Sequence, residues 1–303
     1  MKKVNYHGWN CYHLENGVYE LFVTADAGPR IVHFSLKGEE NVFKVFDEEV
    51  GEIVINDWHV YGGHRLWHAP EAIPRSYIPD NSPPSVKQTG KIVTFTQDTE
   101  AETGLQKEIE IDLEPDSDQI VITHRLINHN MWDIRTAVWA LSMMGAGGQN
   151  ILPLPPRGRH EDNDIDPCNT ITMWPFTDFT DDRWYLGKKY FMLRNTPGKG
   201  EGQKIGLSVP AEWSACAVNG DLFIKRFSYD RLAEYPDRGC NVEVFTNPVI
   251  LELETLGPLK NISPGEAIEH QEVWQIVQDV PCPTNDQEID EFVLPHLIKK
   301  SSN

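Results

Sequence analysis

The sequence predicts an all-β fold in which large antiparallel sheets stack face to face as a β-sandwich. Many short segments alternate apolar and polar residues or run through β-branched residues, as strands do. Gly, Pro, Asn and Asp separate these segments, and βαβ alternation is absent, which disfavours a doubly wound sheet. No fixed-period repeat points to a propeller. We place a single large domain at residues 1–280 of the 303-residue chain.

The strands follow one another along nearly the whole chain. Asn219-Gly220 lies between two apolar runs and predicts a tight hairpin. The predicted strands are 18–25, 31–38, 91–99, 105–115, 119–128, 138–144, 204–209, 214–229, 240–246, 250–257 and 270–277.

Three segments interrupt this strand pattern. Residues 71–84 and 153–184 are rich in proline and predict long ordered loops, which on a β scaffold commonly carry binding sites. Residues 281–303 are predicted to form a C-terminal tail. A short helix in this tail would be capped by Asn285 or Asp286 and broken by Pro295.

The charge and the cysteines limit the class of partner. A net charge of -19 would repel nucleic-acid phosphates and anionic membrane surfaces, whereas a neutral sugar is compatible with it. Five cysteines without a CxxC pattern disfavour a disulfide framework and a zinc knuckle. The two N-terminal lysines precede no apolar run, and no segment has the apolar length of a membrane span. We therefore predict a cytoplasmic protein.

Two glutamates mark the strand "ILELETLG". Alternation places Glu252 and Glu254 on one face, about 7 Å apart, and Leu251 and Leu253 on the other. Like charges at this spacing raise one of the two pKa values, which suits proton transfer. The alternative is a solvated pair on an exposed sheet.

The strand "CNVEVF" has a similar pattern, with Asn241, Glu243 and Phe245 on one face. Hydrogen-bonding groups beside an aromatic ring suit a sugar. In the neighbouring run "LFIKRF", Lys225 is predicted either to neutralise a glutamate of the site or to act as an ordinary cross-strand partner.

The stretch "YGGHRLWHAPE" concentrates polar and aromatic residues. As a strand it places His64 and His68 on one face, about 13 Å apart and too far for one metal ion, and Arg65 and Trp67 on the other. Arg65 offers a fork of donors for sugar oxygens, Trp67 a flat apolar ring and Glu71 an acceptor. The alternative is a packing turn at a strand end.

The loop 153–184 adds Arg157, which we predict to reach the sugar pocket. Its acidic run at 160–166 suggests calcium but lacks the glycine and the distal glutamate of an EF-hand loop, so a solvated loop is the alternative. Trp174 and Trp184 either wall the pocket or fasten the loop. The chain has no phosphate-binding loop and no nucleophile elbow, and we predict neither a cofactor nor a metal.

The last third of the chain resembles a known superfamily. "FTNPVILELETLGPLKNISPGEAIEHQEVWQIV" (245–277) is similar to the final strands of galactose mutarotase-like proteins, and "NHNMWDIRTAVWALSMM" (128–144) extends the similarity. The resemblance implies a supersandwich whose concave sheet holds a sugar, with Glu254 as general base. The histidine acid of that superfamily has no counterpart, since Ala137 or a neighbour stands there. The chain thus resembles a divergent branch, in which His64 or His68 would supply the proton.

Three functions follow as hypotheses. The first is an aldose 1-epimerase-like isomerase that binds a monosaccharide or a short oligosaccharide. The second is a non-catalytic sugar sensor, which the missing histidine favours. The third is cleavage of a glycosidic bond, because a carboxylate separation of about 7 Å falls in the range of about 6.5–9.5 Å found in inverting hydrolases. Exposed aromatic-rich edges make a homodimer a further hypothesis.

Overall fold

The computed structural model describes residues 1–46, 48–49, 51 and 57–297. These residues form two large sheets, and every strand pairing within them is antiparallel. The strands are β1 (Lys2–Tyr6), β2 (Trp9–Glu15), β3 (Tyr19–Thr24), β4 (Ile31–Leu36), β5 (His64–Ala69), β6 (Ser85–Thr89), β7 (Ile92–Thr96), β8 (Leu105–Asp112), β9 (Ile120–Asn128), β10 (Ile134–Met143), β11 (Gln149–Pro153), β12 (Ile171–Met173), β13 (Trp184–Leu186), β14 (Tyr190–Arg194), β15 (Gln203–Leu207), β16 (Trp213–Val218), β17 (Asp221–Phe227), β18 (Val242–Thr246), β19 (Leu251–Leu256), β20 (Lys260–Ile262) and β21 (Ala267–Val277).

The two sheets are named here the front sheet and the back sheet. The front sheet has the order β1-β2-β3-β4-β5-β10-β19-β18-β15-β12, with β20 paired to β10. The back sheet has the order β13-β14-β11-β16-β17-β21-β9-β8-β7-β6. The predicted all-β antiparallel sandwich is therefore confirmed.

Local sequence explains the clearest turn. β16 and β17 are joined through Asn219 and Gly220, whose φ angles of 55° and 85° are both positive. A two-residue hairpin turn of this kind requires a left-handed conformation at both positions, which Asn and Gly adopt at low cost. The predicted hairpin is confirmed. The first two strands were not predicted, because "VNYHGWNCYHLE" mixes polar and aromatic residues without a clear alternation.

The main core lies between the sheets. Alternating residues of each strand point inward, as in β8, where every second residue is buried. Trp274 of the back sheet packs against Phe34 of the front sheet at 5.3 Å between ring centroids, and against Phe223 at 5.6 Å. Leu251 and Leu253 face this core, so the glutamates between and beyond them point to the outer side of the front sheet.

The C-terminal segment covers part of the outer face of the back sheet. A helix, α2 (Asp286–Phe292), follows a short turn-like helix α1 (Pro236–Gly239) in chain order, and 3₁₀ turns occupy Arg75–Tyr77, His160–Asp162 and Leu294–His296. The side chain of Asn285 accepts from the N–H groups of Gln287 and Glu288, which caps α2 as predicted.

Ile289 and Val293 of this segment pack into a second core cluster with residues of the back sheet. The domain boundary placed at residue 280 stays a prediction, and the last part of the predicted tail, 298–303, lies outside the described residues.

Candidate functional site

Five adjacent strands of the front sheet form the floor of a cavity of about 330 Å³ on its outer face. These strands are β5, β10, β19, β18 and β15. Loops that precede β5, follow β5 and precede β13 supply the walls. The lining residues are Trp58, Val60, Arg65, Trp67, Glu71, Tyr77, Trp139, Leu141, Met143, Trp174, Phe176, Lys204, Phe245, Ile250 and Glu252.

The strand register aligns charged residues across this floor. Leu141 pairs with Arg65 on one side and with Glu254 on the other, and Glu254 pairs in turn with Glu243. Residues directly opposite in an antiparallel pair point to the same face. Arg65, Glu254 and Glu243 therefore share the outer face of the front sheet.

Glu252 and Glu254 occupy different depths of the site. Glu252 lines the cavity and is partly exposed, whereas Glu254 is fully buried. The Oε2 of Glu254 accepts the Nε1–H of Trp139 at 2.8 Å and a proton of the Lys204 ammonium at 3.3 Å. Its Oε1 has no hydrogen-bond partner among the described residues. Glu254 is thus held in place with one oxygen still able to accept.

Lys204 places a single cation among several carboxyl groups. Its ammonium lies 2.8 Å from the Oε2 of Glu243 and 3.3 Å from Glu254, and it stands over the rings of Trp139 at 5.0 Å and Trp174 at 4.8 Å. Burial lowers the pKa of this ammonium, but the neighbouring carboxylates outweigh burial and raise it. Lys204 is therefore a fixed positive charge at the floor of the site.

One ammonium cannot balance three neighbouring carboxylates. Burial, and then the charge of Glu254, raise the pKa of Glu252 to about 8 against the opposing effects of Lys204 and Arg65. Burial also raises the pKa of Glu243 well above its ordinary value, although Lys204 opposes this. Glu252 consequently holds a proton near neutral pH and can donate it into the cavity.

The raised pKa of Glu252 predicts a pH dependence of stability. Between pH 4.5 and 8 the folded chain binds this proton more than the unfolded chain does, so stability present at low pH is lost as pH rises. We expect Glu252→Gln to flatten the fall in the free energy of unfolding by up to about 1.4 kcal/mol per pH unit. Urea unfolding from pH 5 to 8 measures this. Glu266→Gln, at an exposed position, should keep the wild-type slope. An unchanged slope in Glu252→Gln would contradict the assignment.

Arg65 lies between aromatic rings at one wall of the cavity. Its guanidinium is 4.7 Å from the ring centroid of Trp67 and 5.3 Å from that of Trp58, and it pairs with Asp80 at 3.3 Å. Burial lowers its pKa to about 10, against the opposing charge of Asp80, so it stays charged at neutral pH. Its Nε has no hydrogen-bond partner among the described residues. Stacked and ion-paired, this guanidinium is rigidly placed.

Three of the predicted binding residues line the cavity with Glu252: Arg65, Trp67 and Glu71. Trp67 packs edge-on against Trp139 at 5.1 Å. Glu71 stands at the exposed rim, where it accepts the hydroxyl proton of Tyr77.

His64 and His68 do not lie at this cavity, which corrects the hypothesis that one of them donates a proton there. Alternation along β5 sends them to the core face, opposite Arg65 and Trp67. His64 packs against Trp274 of the back sheet at 4.7 Å, and His68 lies 3.5 Å from Glu100. Burial lowers the pKa of both rings, so both are held neutral.

The hydrogen bonds around His64 define its tautomer. The Nδ1 of His124 faces the carbonyl of His270 at 3.2 Å, and a carbonyl only accepts, so this Nδ1 carries a proton. The Nε2 of neutral His124 therefore accepts from the Nε2–H of His64 at 2.7 Å. The Nδ1 of His64 then accepts from the hydroxyl of Ser142 at 2.8 Å. Both ring nitrogens of His64 are therefore hydrogen-bonded inside the core.

His64, His124 and Glu272 have ligand-type atoms within 4.8 Å of one another, the one such group among the described residues. Two nitrogens bound to one tetrahedral zinc stand roughly 3.3 Å apart, farther than the 2.7 Å between these imidazoles. Glu272 already accepts from Lys225 at 2.9 Å and from Trp274 at 2.7 Å. The geometry is that of a hydrogen-bonded ion network.

Three further predicted residues lie away from the cavity. Lys225 is on the back sheet and points into the core, because the pleat of β17 directs it there. Asn241 precedes β18, and its Oδ1 accepts the backbone N–H of Val209 at 2.6 Å. Arg157 follows β11 of the back sheet, is exposed and lines a separate cleft with Lys188. Their predicted roles in the sugar site are therefore corrected.

The predicted Glu243 contacts Lys204, a cation that the sequence analysis did not single out. Lys204 in "QKIGL" alternates with Ile205 and Leu207, which are both buried. A lysine on the polar face of such a strand was a usable signal, yet its neighbours come from strands about 40 and 50 residues later. Trp139 was similarly detectable as the one large ring on the outer face of β10.

The long loop is ordered, as predicted, and contributes Trp174 to the cavity. Trp184 instead packs on Phe179 at 5.8 Å and hydrogen-bonds Gln203, so it fastens the loop. In the acidic run, Asp164 accepts the backbone N–H of Arg159 at 2.9 Å. Among the residues that the structure describes, these acids form no group with ligand spacing.

Comparison with known proteins identifies the fold. No protein-family profile matches the chain, and no curated protein matches its sequence. Solved structures do match. A candidate aldose 1-epimerase from Klebsiella pneumoniae is 12% identical with a TM-score of 0.61, over 97% of this chain and 85% of that one. A galactose mutarotase-like protein from Lactobacillus casei is 10% identical with a TM-score of 0.57, over 88% of this chain and 100% of that one.

A longer protein from Parabacteroides distasonis, which contains a TPR domain, is 13% identical with a TM-score of 0.58. The match covers 91% of this chain and 48% of that one, so the chain spans about half the length of this relative. The fold is therefore that of the galactose mutarotase-like proteins. Within the described part of the chain, no helix has the length and apolar character needed to cross a membrane.

Proposed function

We propose that the protein binds a sugar in the cavity on the outer face of the front sheet. The observation that carries this proposal is the combination of aromatic walls and a charged floor in one cavity of about 330 Å³. Ligand sites of this kind are mostly apolar, with a few placed polar groups that fix orientation. The rings of Trp67 and Trp139 offer flat surfaces to the C–H side of a sugar, while Arg65 and Glu252 offer donors and acceptors to its hydroxyls.

The catalytic form of this proposal is interconversion of anomers. Opening a pyranose ring requires a base that takes the proton of the anomeric hydroxyl and an acid that protonates the ring oxygen as its bond to the anomeric carbon breaks. We assign the acid to Glu252, which lines the cavity with a pKa raised to about 8. The base is Glu254, as the resemblance implies, acting through its unpaired Oε1. Reclosure on the other face of the carbonyl returns both protons.

A sugar sensor without catalysis is the second candidate, and one observation favours it. Glu254 is fully buried beneath Lys204 and Trp139, so a sugar reaches it only if one of these side chains moves. No histidine is among the residues that line the described cavity. In this form the same residues bind the sugar, and no proton is transferred.

Polarimetry distinguishes the two forms. Freshly dissolved α-anomers of several aldoses are mixed with the protein, and the approach to equilibrium rotation is timed. The catalytic form predicts that the protein accelerates this approach, and that Glu252→Gln and Glu254→Gln each reduce the acceleration by roughly 10²–10⁴-fold. The control variant Glu266→Gln, at an exposed position, should keep the wild-type acceleration. Sugar-dependent quenching of tryptophan fluorescence without acceleration would assign the protein as a sensor. If no aldose produced either quenching or acceleration, both forms would be contradicted.

A further inference from the structure

A second cavity of about 290 Å³ adjoins the proposed sugar site. The two share Glu71, Trp139 and Trp174 as lining residues, so they are neighbouring chambers of one depression. The second chamber is lined by Glu71, Ala72, Ile73, Trp139, Trp174, Asp237 and Glu243. Its volume is close to that of the first chamber, and it has no place in the proton transfer assigned above.

The charge of the second chamber is one-sided. It has three carboxyl groups, from Glu71, Asp237 and Glu243, and no lysine, arginine or histidine among its described lining residues. Lys204 touches Glu243 only at Oε2, and it is shared with Glu254. The nearest ammonium is therefore already shared with Glu254, and the described lining of this chamber supplies no cation of its own.

Glu243 supplies an independent sign of a ligand. Its side chain is 1% exposed, and its Oε1 has no hydrogen-bond partner among the described residues. A buried carboxyl oxygen without a donor is costly, and such groups in native proteins commonly have a partner supplied by a ligand or by water. Glu243 also lines the chamber, so a donor bound there lies next to the side chain that carries this oxygen.

The backbone that carries Asp237 is in an unusual conformation. Asp237 (φ 48°, ψ 48°) and Arg238 (φ 68°, ψ 23°) are two consecutive non-glycine residues in the left-handed region. Thr172 donates its hydroxyl proton to the carbonyl of Asp237 at 2.8 Å, which holds the turn. Left-handed backbone of this kind is disfavoured for most residues and persists where surrounding structure imposes it. The turn brings the Asp237 carboxyl close enough to raise the pKa of Glu243.

We propose that the second chamber binds the ammonium group of an amine-bearing sugar whose ring occupies the first chamber. This inference rests on the proposed sugar binding and specifies the class of sugar. An ammonium donates to the unpaired Oε1 of Glu243 and to Asp237, and its charge favours the ionised form of both carboxyl groups. A neutral hydroxyl has one proton to donate, so it makes only one of these two hydrogen bonds and brings no charge. An N-acetyl group removes the charge and adds bulk.

The preference for an amine is measured by titrating the full chain with sugars at pH 6.5, where a sugar amine is protonated. The sugars are glucosamine, galactosamine, glucose, galactose and the two N-acetylated amino sugars. At least one amino sugar should bind roughly tenfold more tightly than its neutral counterpart. Asp237→Asn should reduce this ratio several-fold. Asp279→Asn is the matched control, because Asp279 is exposed and also left-handed (φ 56°) but follows a strand of the back sheet. It should keep the wild-type ratio.

The outcomes separate the two proposals. Binding of glucose or galactose with no preference for the amine, or a ratio that Asp237→Asn leaves unchanged, overturns the inference about the second chamber and leaves sugar binding intact. Binding of none of the six sugars overturns the proposed function itself. Tighter binding of the N-acetylated forms than of the free amines also overturns the inference, since it shows that the chamber selects bulk over charge.

Discussion

Replacing Lys204 with methionine should lower the free energy of unfolding by about 3–5 kcal/mol, the usual cost of removing one partner of a buried charge pair. Lys204 is the cation that contacts Glu243 and Glu254, and both carboxyl groups are buried. Methionine fills a similar volume but leaves these carboxylates without a counter-ion. They must then take up protons or remain charged in a poorly solvated site, and each alternative costs stability.

The pH dependence of this loss has a definite sign. Burial already raises the pKa of Glu243 and of Glu252, and Lys204 opposes both increases. Without the ammonium, the folded protein holds more carboxyl protons than the unfolded chain over a wider pH range. Stability of Lys204→Met should therefore fall as pH rises above about 4.5, more steeply than that of the wild type. The difference between the two proteins should shrink toward pH 4.5.

Urea unfolding monitored by tryptophan fluorescence provides the measurement, with an unchanged m-value as evidence that the unfolding transition is the same. Lys199→Met is the control, because Lys199 is exposed in the turn before β15. It should change stability by less than about 0.5 kcal/mol. The double variant Lys204→Met with Glu243→Gln should recover part of the loss, because one uncompensated carboxylate is gone. A Lys204→Met protein as stable as the control would show that the cluster is not held by this cation.

The features of the fold and of the site that can be predicted from the sequence are those set by interactions between residues close together in the chain. Alternation within one strand is a local property, and it correctly placed Glu252 and Glu254 opposite Leu251 and Leu253. The pattern of strands and turns predicted the sandwich, and the resemblance to galactose mutarotase-like proteins implied the same fold, because turns and strand spacing are also properties of the local sequence. Both signals are present in this chain, although solved structures with the same fold are only 10–13% identical to it.

Alternation does not say which face of a strand is buried. In β5 it separates His64 and His68 from Arg65 and Trp67, and the polarity of His64, His68 and Arg65 does not indicate which face is buried. His64 is inside because His124 and Ser142 satisfy both of its ring nitrogens there. Those partners lie on other strands, far along the chain, so a single sequence does not reveal that a polar residue will be paired.

The two lysines show the same limit. Lys204 and Lys225 each stand in an apolar strand, and each neutralises a buried glutamate. Their strands join different sheets, so one ammonium reaches the cavity and the other reaches the core. Sheet order decides this, and sheet order arises from pairings between distant segments such as β10 with β5 and β19. Lys225 therefore neutralises Glu272 in the core, and Lys204 is the lysine that neutralises a glutamate beside the cavity.

The ion pair in the core gives the second large effect. Lys225 donates to the Oε1 of Glu272 at 2.9 Å and to the carbonyl of Leu253 at 3.2 Å, and both side chains are fully buried. Burial raises the pKa of Glu272, but opposing charges, that of Lys225 first among them, outweigh burial and lower it. Lys225→Met removes the only full cation in contact with this carboxylate among the described residues. We expect it to cost about 3–5 kcal/mol of unfolding free energy.

A carboxyl whose folded pKa lies below its unfolded value contributes stability that is present above the unfolded value and lost as pH falls. The effect of Lys225→Met should therefore be largest at neutral pH and smaller below about pH 4.5. Adding Glu272→Gln removes the uncompensated charge while keeping an oxygen that can accept from Trp274 at the position of Oε2. The double variant should be more stable than Lys225→Met alone, with a coupling energy of about 0.5–3 kcal/mol.

A measurement of sugar binding distinguishes the role of Lys225 in the core from the role in the sugar site that was predicted from the sequence. The folded fraction of Lys225→Met should bind a sugar with wild-type affinity, because the ammonium lies on the opposite side of the front sheet from the cavity. Fluorescence titration under conditions where the variant remains folded measures this affinity. If Lys225→Met weakened sugar binding while leaving the unfolding free energy unchanged, Lys225 would act on the ligand and the core assignment would be wrong. The opposite pattern, a large loss of stability with intact binding, is what two fully buried and mutually paired charges require.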